Sequence, residues 1–227
     1  MDYKKIGVVI ADDLEFLPMM KCAEPFGYEE GEINGYKTIR FTIGKIEIVA
    51  VKCLIGKVNA AAATAMLIMK ESPDCVMNVG LSGGVKGVNR GTVYAGTQFT
   101  ECDFDLSALG LEKGVKPDQE YIYFADEDLL SKIPEEMNIR RLKCGTGDFF
   151  LTKDAMKEDF YNRFGINTFD METGAIASVC KSCSVPFMSI RKVSDDSEDS
   201  AAEDYKQMNT LADTDLSEIL IEIIKKM

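Results

Sequence analysis

The chain has 227 residues, 46% of them hydrophobic, so one α/β unit can bury a substantial core without disulfides or metals. Its formal net charge of -12 argues against a nucleic-acid backbone or an anionic membrane surface as a partner. Histidine is absent, which excludes Ser-His-Asp and Cys-His mechanisms and any His-ligated metal.

Acid–base chemistry near neutral pH must therefore come from carboxylates, Lys, Tyr or Cys. No apolar run reaches about 18 residues and no basic-then-apolar leader is present, so a soluble, unexported protein is expected. The seven cysteines (Cys22, Cys53, Cys75, Cys102, Cys144, Cys180, Cys183) are odd in number and mostly in apolar surroundings. That usage predicts reduced, buried thiols in a cytoplasmic protein.

Lys4 to Ala11 (KKIGVVIA) is a β-branched run with little alternation, the pattern of a strand buried on both faces. It ends in Asp12-Asp13-Leu14-Glu15, and a helix is predicted through Leu17 and Met20. Acids beyond the carboxyl end of a strand in an open α/β sheet stand where ligands bind, but an acidic first helical turn accounts for them equally. No Gly-x-Gly-x-x-Gly follows, which disfavours a Rossmann nucleotide site.

Tyr36 to Ile43 and Ile46 to Lys52 read as two strands joined through Gly44-Lys45. Gly56 to Lys70 (GKVNAAAATAMLIMK) is a helix apolar on nearly all sides, hence packed against a sheet, and Pro73 stops it. Asp74 to Val79 is a buried strand leading into a Gly-rich turn, Gly80-Leu81-Ser82-Gly83-Gly84-Val85-Lys86-Gly87. Such a turn can present backbone N–H groups to a ligand, although a tight βα turn needs glycine anyway. It lacks the Gly-Lys-Ser/Thr ending of a P-loop.

Gly91 to Glu101 is strand-like, and Gly110 to Tyr123 reads as a mobile loop, a candidate lid or partner-contact segment. Ile139 to Cys144 is a short strand followed by Gly145-Thr146-Gly147-Asp148-Phe149-Phe150-Leu151. The adjacent aromatics suit the face of a heteroaromatic base and are equally normal as core anchors. Thr152 to Phe164 is a helix with Thr152 as its N-cap.

Phe169-Asp170-Met171-Glu172-Thr173-Gly174-Ala175 sets two carboxylates and a soft Met at the start of an apolar, helix-patterned run. One reading is a helix cap; the other is a clamp, with Glu172 accepting hydrogen bonds from a diol and Met171 against a flat ligand. In the following helix Ile176, Val179, Cys180 and Cys183 fall on one face, so the Cys-x-x-Cys pair reads as core. Pro186 to Ser194 is a strand carrying Arg191 and running into the acidic Asp195-Asp196-Ser197-Glu198-Asp199. Leu216, Ile219, Leu220, Ile223 and Ile224 form the apolar stripe of a C-terminal helix. Strands and helices alternate with no linker and no repeat, which predicts one α/β domain over 1–227, a three-layer α/β/α sandwich around a mixed, mostly parallel sheet.

Glu15, Glu172 and Asp195 thus stand at strand or helix ends. Without histidine they form a set suited to cleaving a glycosidic bond, which passes through an oxocarbenium-like state and needs an acid at the leaving group and a base on the water. In order and spacing the motifs resemble the 5′-methylthioadenosine/S-adenosylhomocysteine nucleosidases of the purine nucleoside phosphorylase superfamily. The resemblance spans essentially the whole chain. It rests on Asp12-Asp13-Leu14-Glu15 after the first strand, Gly56-Lys57-Val58-Asn59-Ala60-Ala61, Asn78 through Gly84, Gly147-Asp148-Phe149-Phe150, Asp170-Met171-Glu172 and Arg191 through Asp195.

The resemblance implies a hydrolase of 5′-substituted adenosines with no metal or cofactor, acting in purine and methionine salvage as a homodimer. Glu15 would accept a proton from the attacking water, and Asp195 would protonate the purine at N7. Glu172 would hold the ribose hydroxyls with Met171 beside sugar and base. Phe150 would stack on the base, and Leu151 would meet its edge through the backbone. Ile55 and Gly83 would line the pocket, with Arg191 close to Glu172 or the water. These roles require an ionised Glu15 and an Asp195 whose pKa stands well above about 3.9, raised by burial or by Asp196.

One departure is Leu81, where the family commonly carries a Ser near the ribose or water. Two other readings compete: a phosphorylase of the same superfamily, disfavoured by an acidic loop that would repel phosphate, and a nucleoside-binding protein without catalysis.

Overall fold

The computed structural model describes residues 3–195 and 215–227; Asp196 and the rest of the acidic run after Asp195 lie outside them. β1 (Lys5–Ile10), β4 (Ile46–Lys52), β5 (Cys75–Gly84) and β10 (Phe187–Asp195) run parallel, with β1 between β4 and β5, and β10 beside β5. Their Val, Ile and Met side chains are almost all buried, as strands covered on both faces demand.

On one side the sheet ends in two hairpins. β3 (Tyr36–Ile43) pairs antiparallel with β4, and β2 (Glu29–Ile33) with β3. β2 has no counterpart in the strands predicted above, although Asn34-Gly35, both at positive φ, is a strong hairpin signal. Its Glu29, Glu30 and Glu32 are exposed on the open edge, where charge discourages further strand pairing.

On the other side β10 pairs antiparallel with β6 (Val93–Glu101), which pairs parallel with β8 (Arg140–Thr146) and antiparallel with the short β7 (Ile122–Phe124). β8 pairs with β9 (Thr168–Asp170), and β9 returns to β5 through Gly83↔Phe169 and Gly84↔Thr168. This half of the sheet closes on itself. Gly80 to Gly84, predicted as a turn, is the second half of β5: paired with β10 and β9, it is extended rather than folded back.

The helices form the outer layers. α2 (Lys57–Glu71) packs on α5 (Thr173–Ser182), and α1 (Asp13–Ala23) on the C-terminal α6 (Asp215–Lys225). In α6, Leu220, Ile221, Ile223 and Ile224 are buried, while Leu216 and Ile219 flank them half-buried. α2 buries Ala60, Ala63, Thr64 and Leu67 but leaves Val58 and Met69 on the surface, so it is more one-sided than its composition predicts.

α3 (Glu127–Ser131) is a single extra turn capped by Asp126. α4 (Asp154–Phe164) begins two residues after Thr152, which does not cap it. Leu151 is buried in a satellite core with Phe160, Ile166 and Phe169, and the chain runs non-helical from there to Lys153. All seven cysteines are free; five are buried, Cys22 is half-buried, and Cys183 is exposed. Cys183 sits at the C-cap of α5 where the chain turns away, so only Cys180 of that pair belongs to the core. Among the described residues no helix is long and apolar enough to cross a membrane.

Candidate active site

The carboxyl ends of β1, β4, β5, β8, β9 and β10 converge on one cleft enclosing about 680 Å³ of empty space, its open mouth included. Glu15, Ile55, Gly83, Phe150, Leu151, Met171, Glu172 and Asp195 all line it, together with Leu81 and Ser82. Arg191 does not. It lies fully buried beneath the floor.

The three acids that follow β1, Asp12, Asp13 and Glu15, divide their work. Asp12 caps α1, its Oδ1 accepting from the amides of Leu14 (3.0 Å) and Glu15 (3.1 Å). Asp13 pairs with Lys52 on the surface at 2.7 Å. The Glu15 carboxyl is buried, and its Oε1 accepts from the Leu81 amide at 2.7 Å and its Oε2 from the Ala11 amide at 3.2 Å. Burial pushes its carboxyl up to about 8; Arg191 opposes the shift, and Asp12 and Glu172 add to it. The expectation of a plainly ionised Glu15 is therefore not met: a carboxyl held up at about 8 by burial keeps its proton over most of the neutral range and ionises on the alkaline side of it.

Residues 170–173 divide in the same way. Asp170 is the structural acid: Oδ1 accepts from the Glu172 amide (3.1 Å), the Thr173 amide (3.1 Å) and Thr146 Oγ1 (2.7 Å), and Oδ2 from Thr173 Oγ1. That leaves Glu172, at the N-cap position of α5, free of capping, and its side chain points into the cleft. Glu172 Oε1 accepts from the Gly56 amide at 3.0 Å, and burial pushes the carboxyl up to about 7 against the pull of Arg191. Of the two readings of this stretch, Asp170 takes the cap and Glu172 the cleft.

Arg191 holds the acids from below. Nη1 donates to the Leu81 carbonyl at 2.8 Å and Nη2 to Thr173 Oγ1 at 2.5 Å; Nη2 also lies 3.2 Å from Asp170 Oδ2 and 4.0 Å from Glu172 Oε2. The neighbouring acids hold its guanidinium cationic. Asp195 follows a bulge in β10 opposite Gly83, and Ser194 Oγ donates to its Oδ2 at 2.6 Å.

The two aromatics also separate. Phe149 packs on Phe169 with ring centroids 5.1 Å apart, joining the satellite core. Phe150 keeps 44% of its surface exposed at the mouth, as does Ile55 with 52%.

Gly80, Asp148 and Lys57, which carry no assigned role in the sequence reading, adjoin the site without lining the cleft. A Cβ on Gly80 would stand 2.5 Å from Arg191 Nη1 and 2.6 Å from Glu15 Oε1. A glycine inside a strand is the sequence signal for such a close approach.

A sequence model described as the Phosphorylase superfamily matches residues 5–225. A 5′-methylthioadenosine/S-adenosylhomocysteine nucleosidase of Staphylococcus carnosus is 32% identical, over 98% of this chain and 100% of its own.

The chain belongs to this nucleosidase family.

Another member, from an Exiguobacterium strain, is 31% identical over 86% of this chain and 88% of its own. Among solved structures, the Neisseria meningitidis nucleosidase in complex with methylthio-immucillin-A superposes with a TM-score of 0.90 at 26% identity, covering 99% of this chain and 100% of that one. A Helicobacter pylori family member has the same fold, with a TM-score of 0.93 at 22% identity over the full length of both chains.

Proposed function

We propose that this protein hydrolyses the N-glycosidic bond of a 5′-substituted adenosine, of the methylthioadenosine or S-adenosylhomocysteine type. The products are adenine and the 5-substituted ribose. The observation that carries this reading is the meeting of Glu15, Glu172 and Asp195 around one nucleoside-sized cleft with an aromatic wall.

Phe150 stacks on the purine, and the Leu151 backbone meets its edge. Glu172 accepts hydrogen bonds from the ribose hydroxyls, with Met171 beside the sugar. Asp195 gives a proton to N7, the C1′–N9 bond breaks, and its electron pair leaves with adenine. Water adds to the oxocarbenium-like C1′ and passes its proton to Glu15. Ile55 and Gly83 shape the walls. Arg191 acts from beneath as a fixed positive charge that orients Glu172 and tempers the repulsion between Glu172 and Glu15. No cofactor takes part.

Water rather than phosphate is the nucleophile in this reading. Asp12 and Glu15 both line the cleft, and their carboxylates, where ionised, repel a phosphate dianion. Arg191, the cation whose charge acts on Glu15, is engaged below the floor with Leu81, Thr173 and Asp170.

The chain acts as one domain over 1–227 and works in the cytoplasm, in purine and methionine salvage, as a homodimer. Leu14 and Leu17 on α1, with Leu54, Ile55 and Val58 after β4, are large, exposed and apolar beside the cleft mouth, and a second copy would cover them.

The test is adenine release from a panel of 5′-substituted adenosines and inosine, with and without phosphate. Hydrolysis without phosphate is expected. Strict phosphate dependence with a ribose 1-phosphate product would establish a phosphorylase instead, and tight binding with no adenine released over hours would establish a catalytically silent binder.

A further inference from the structure

Lys57 lies outside the cleft lining yet touches the elements that carry both of its walls. Its backbone amide donates to Asp148 Oδ1 at 2.8 Å. Its ammonium lies 2.6 Å from Asp103 Oδ1 and 3.1 Å from Glu101 Oε2. Asp103 Oδ2 in turn accepts from the Asp148 amide at 2.9 Å, so Lys57, Asp103 and Asp148 form a closed ring. Glu101 also pairs with Lys116, which ties the segment 110–121 to the same node.

The ring has two consequences for the cleft. Asp148 directly precedes Phe149, Phe150 and Leu151, so fixing it fixes the aromatic wall. Gly56 directly precedes Lys57, and its amide is the donor that holds Glu172 Oε1 at 3.0 Å. The 15-residue α2 has no cap of its own: Gly56 lacks a side chain, and Asp148 and Glu172 accept the first amides from 91 and 116 residues away. The N-terminus of α2 is therefore clamped between the two walls. The Lys57 ammonium offsets the repulsion that Glu101, Asp103 and Asp148 would otherwise exert on one another there.

We infer that Lys57 is a positioning residue: through its ring with Asp103 and Asp148 it sets the aromatic wall at Phe150 and Leu151 against the α2 amide that holds Glu172. The inference rests on the nucleosidase reading for its kinetic form, but the coupling itself does not need turnover.

The experiment compares wild type with Lys57→Met and Lys57→Arg by amide hydrogen exchange and by steady-state kinetics on 5′-methylthioadenosine. In Lys57→Met, exchange should quicken at least tenfold at residues 55–58 and 147–151 while β1 and β5 keep their protection. KM should rise at least tenfold with kcat changed less than threefold, and Lys57→Arg should restore KM to within threefold of wild type. Exchange and KM within twofold of wild type in Lys57→Met would overturn the inference. So would a uniform loss of protection across the chain, or the absence of rescue by Lys57→Arg. If wild type itself releases no adenine, the nucleosidase reading fails separately, and the local exchange result alone decides the role of Lys57.

Discussion

Gly80 and Arg191 face one another across the β5–β10 pairing with no room for a side chain between them: a Cβ on Gly80 would meet Nη1 at 2.5 Å. The same Cβ would press on Glu15 Oε1, so a single hydrogen-for-methyl change strikes the floor cation and the candidate base together. Gly80→Ala is expected to destabilise the fold by about 1–3 kcal/mol, the usual range for overpacking a core, and to lower adenine release by more than that loss of folded protein explains. Thermal melting and activity per folded molecule check both parts.

Replacing Asp195 by Asn keeps the shape and removes the carboxyl group proposed as the acid. The rate of adenine release should fall by orders of magnitude, with nucleoside binding by calorimetry largely intact. An unchanged rate would remove Asp195 from the chemistry.

Glu15 carries a prediction in which stability and activity move in opposite directions. Its folded-state pKa, about 8, lies above its ordinary value of 4.5, so across that window the folded protein binds more protons than the unfolded chain. The stability this group contributes is fully present below 4.5 and is lost as pH rises through 8. Glu15→Gln removes that penalty. It should melt higher than wild type at pH 8 by roughly 2–4 °C for each kcal/mol recovered, with the gap closing towards pH 5, while activity is nearly abolished. A lower melting temperature at pH 8 would contradict the burial of this charge.

The same shift sets the pH dependence of the reaction. A base that loses its proton near 8 gives a kcat/KM that rises with pH through neutrality, and Glu15→Asp should displace that limb. A profile flat from about pH 6 to pH 8 would take the base role away from Glu15.

Asp170 and Glu172 are separated by function rather than by charge. Asp170→Asn weakens four hydrogen bonds and breaks a buried pairing with Arg191, a change expected to cost about 3–5 kcal/mol of stability. Glu172→Gln, which keeps an oxygen for the Gly56 amide, should leave melting within a few degrees and raise KM or lower kcat at least tenfold. Equal melting losses in the two variants would erase the division of labour.

Most of the architecture was legible in the residues. The β-branched runs of β1, β3, β4 and β5, the Ala-rich α2 and the stripe of α6 carry their own periodicity, because buried strands and one-sided helices must be apolar at fixed intervals. The absence of histidine left carboxylates, Lys, Tyr and Cys for acid–base chemistry, and the acids at strand ends pointed to the first of these. Short elements escaped: β7 and β9 span three residues each, too few for any period, and they form through pairing with β6, β8 and β5.

What the sequence left open was which acid does what. Asp12 and Glu15, like Asp170 and Glu172, are chemically alike and a few residues apart, and helix-start statistics fit all four. Closure of β9 onto β5, with Arg191 below Gly80, separates them. It gives Asp170 the amides of its own turn, and it places Glu172 within reach of an amide from α2 and Glu15 within reach of one from β5. A carboxylate's role follows from the partners and the dielectric around it. Asp12 and Asp170 find amides within their own turns, whereas the Leu81 amide that holds Glu15 and the Gly56 amide that holds Glu172 lie 66 and 116 residues away, and only the folded chain brings them there.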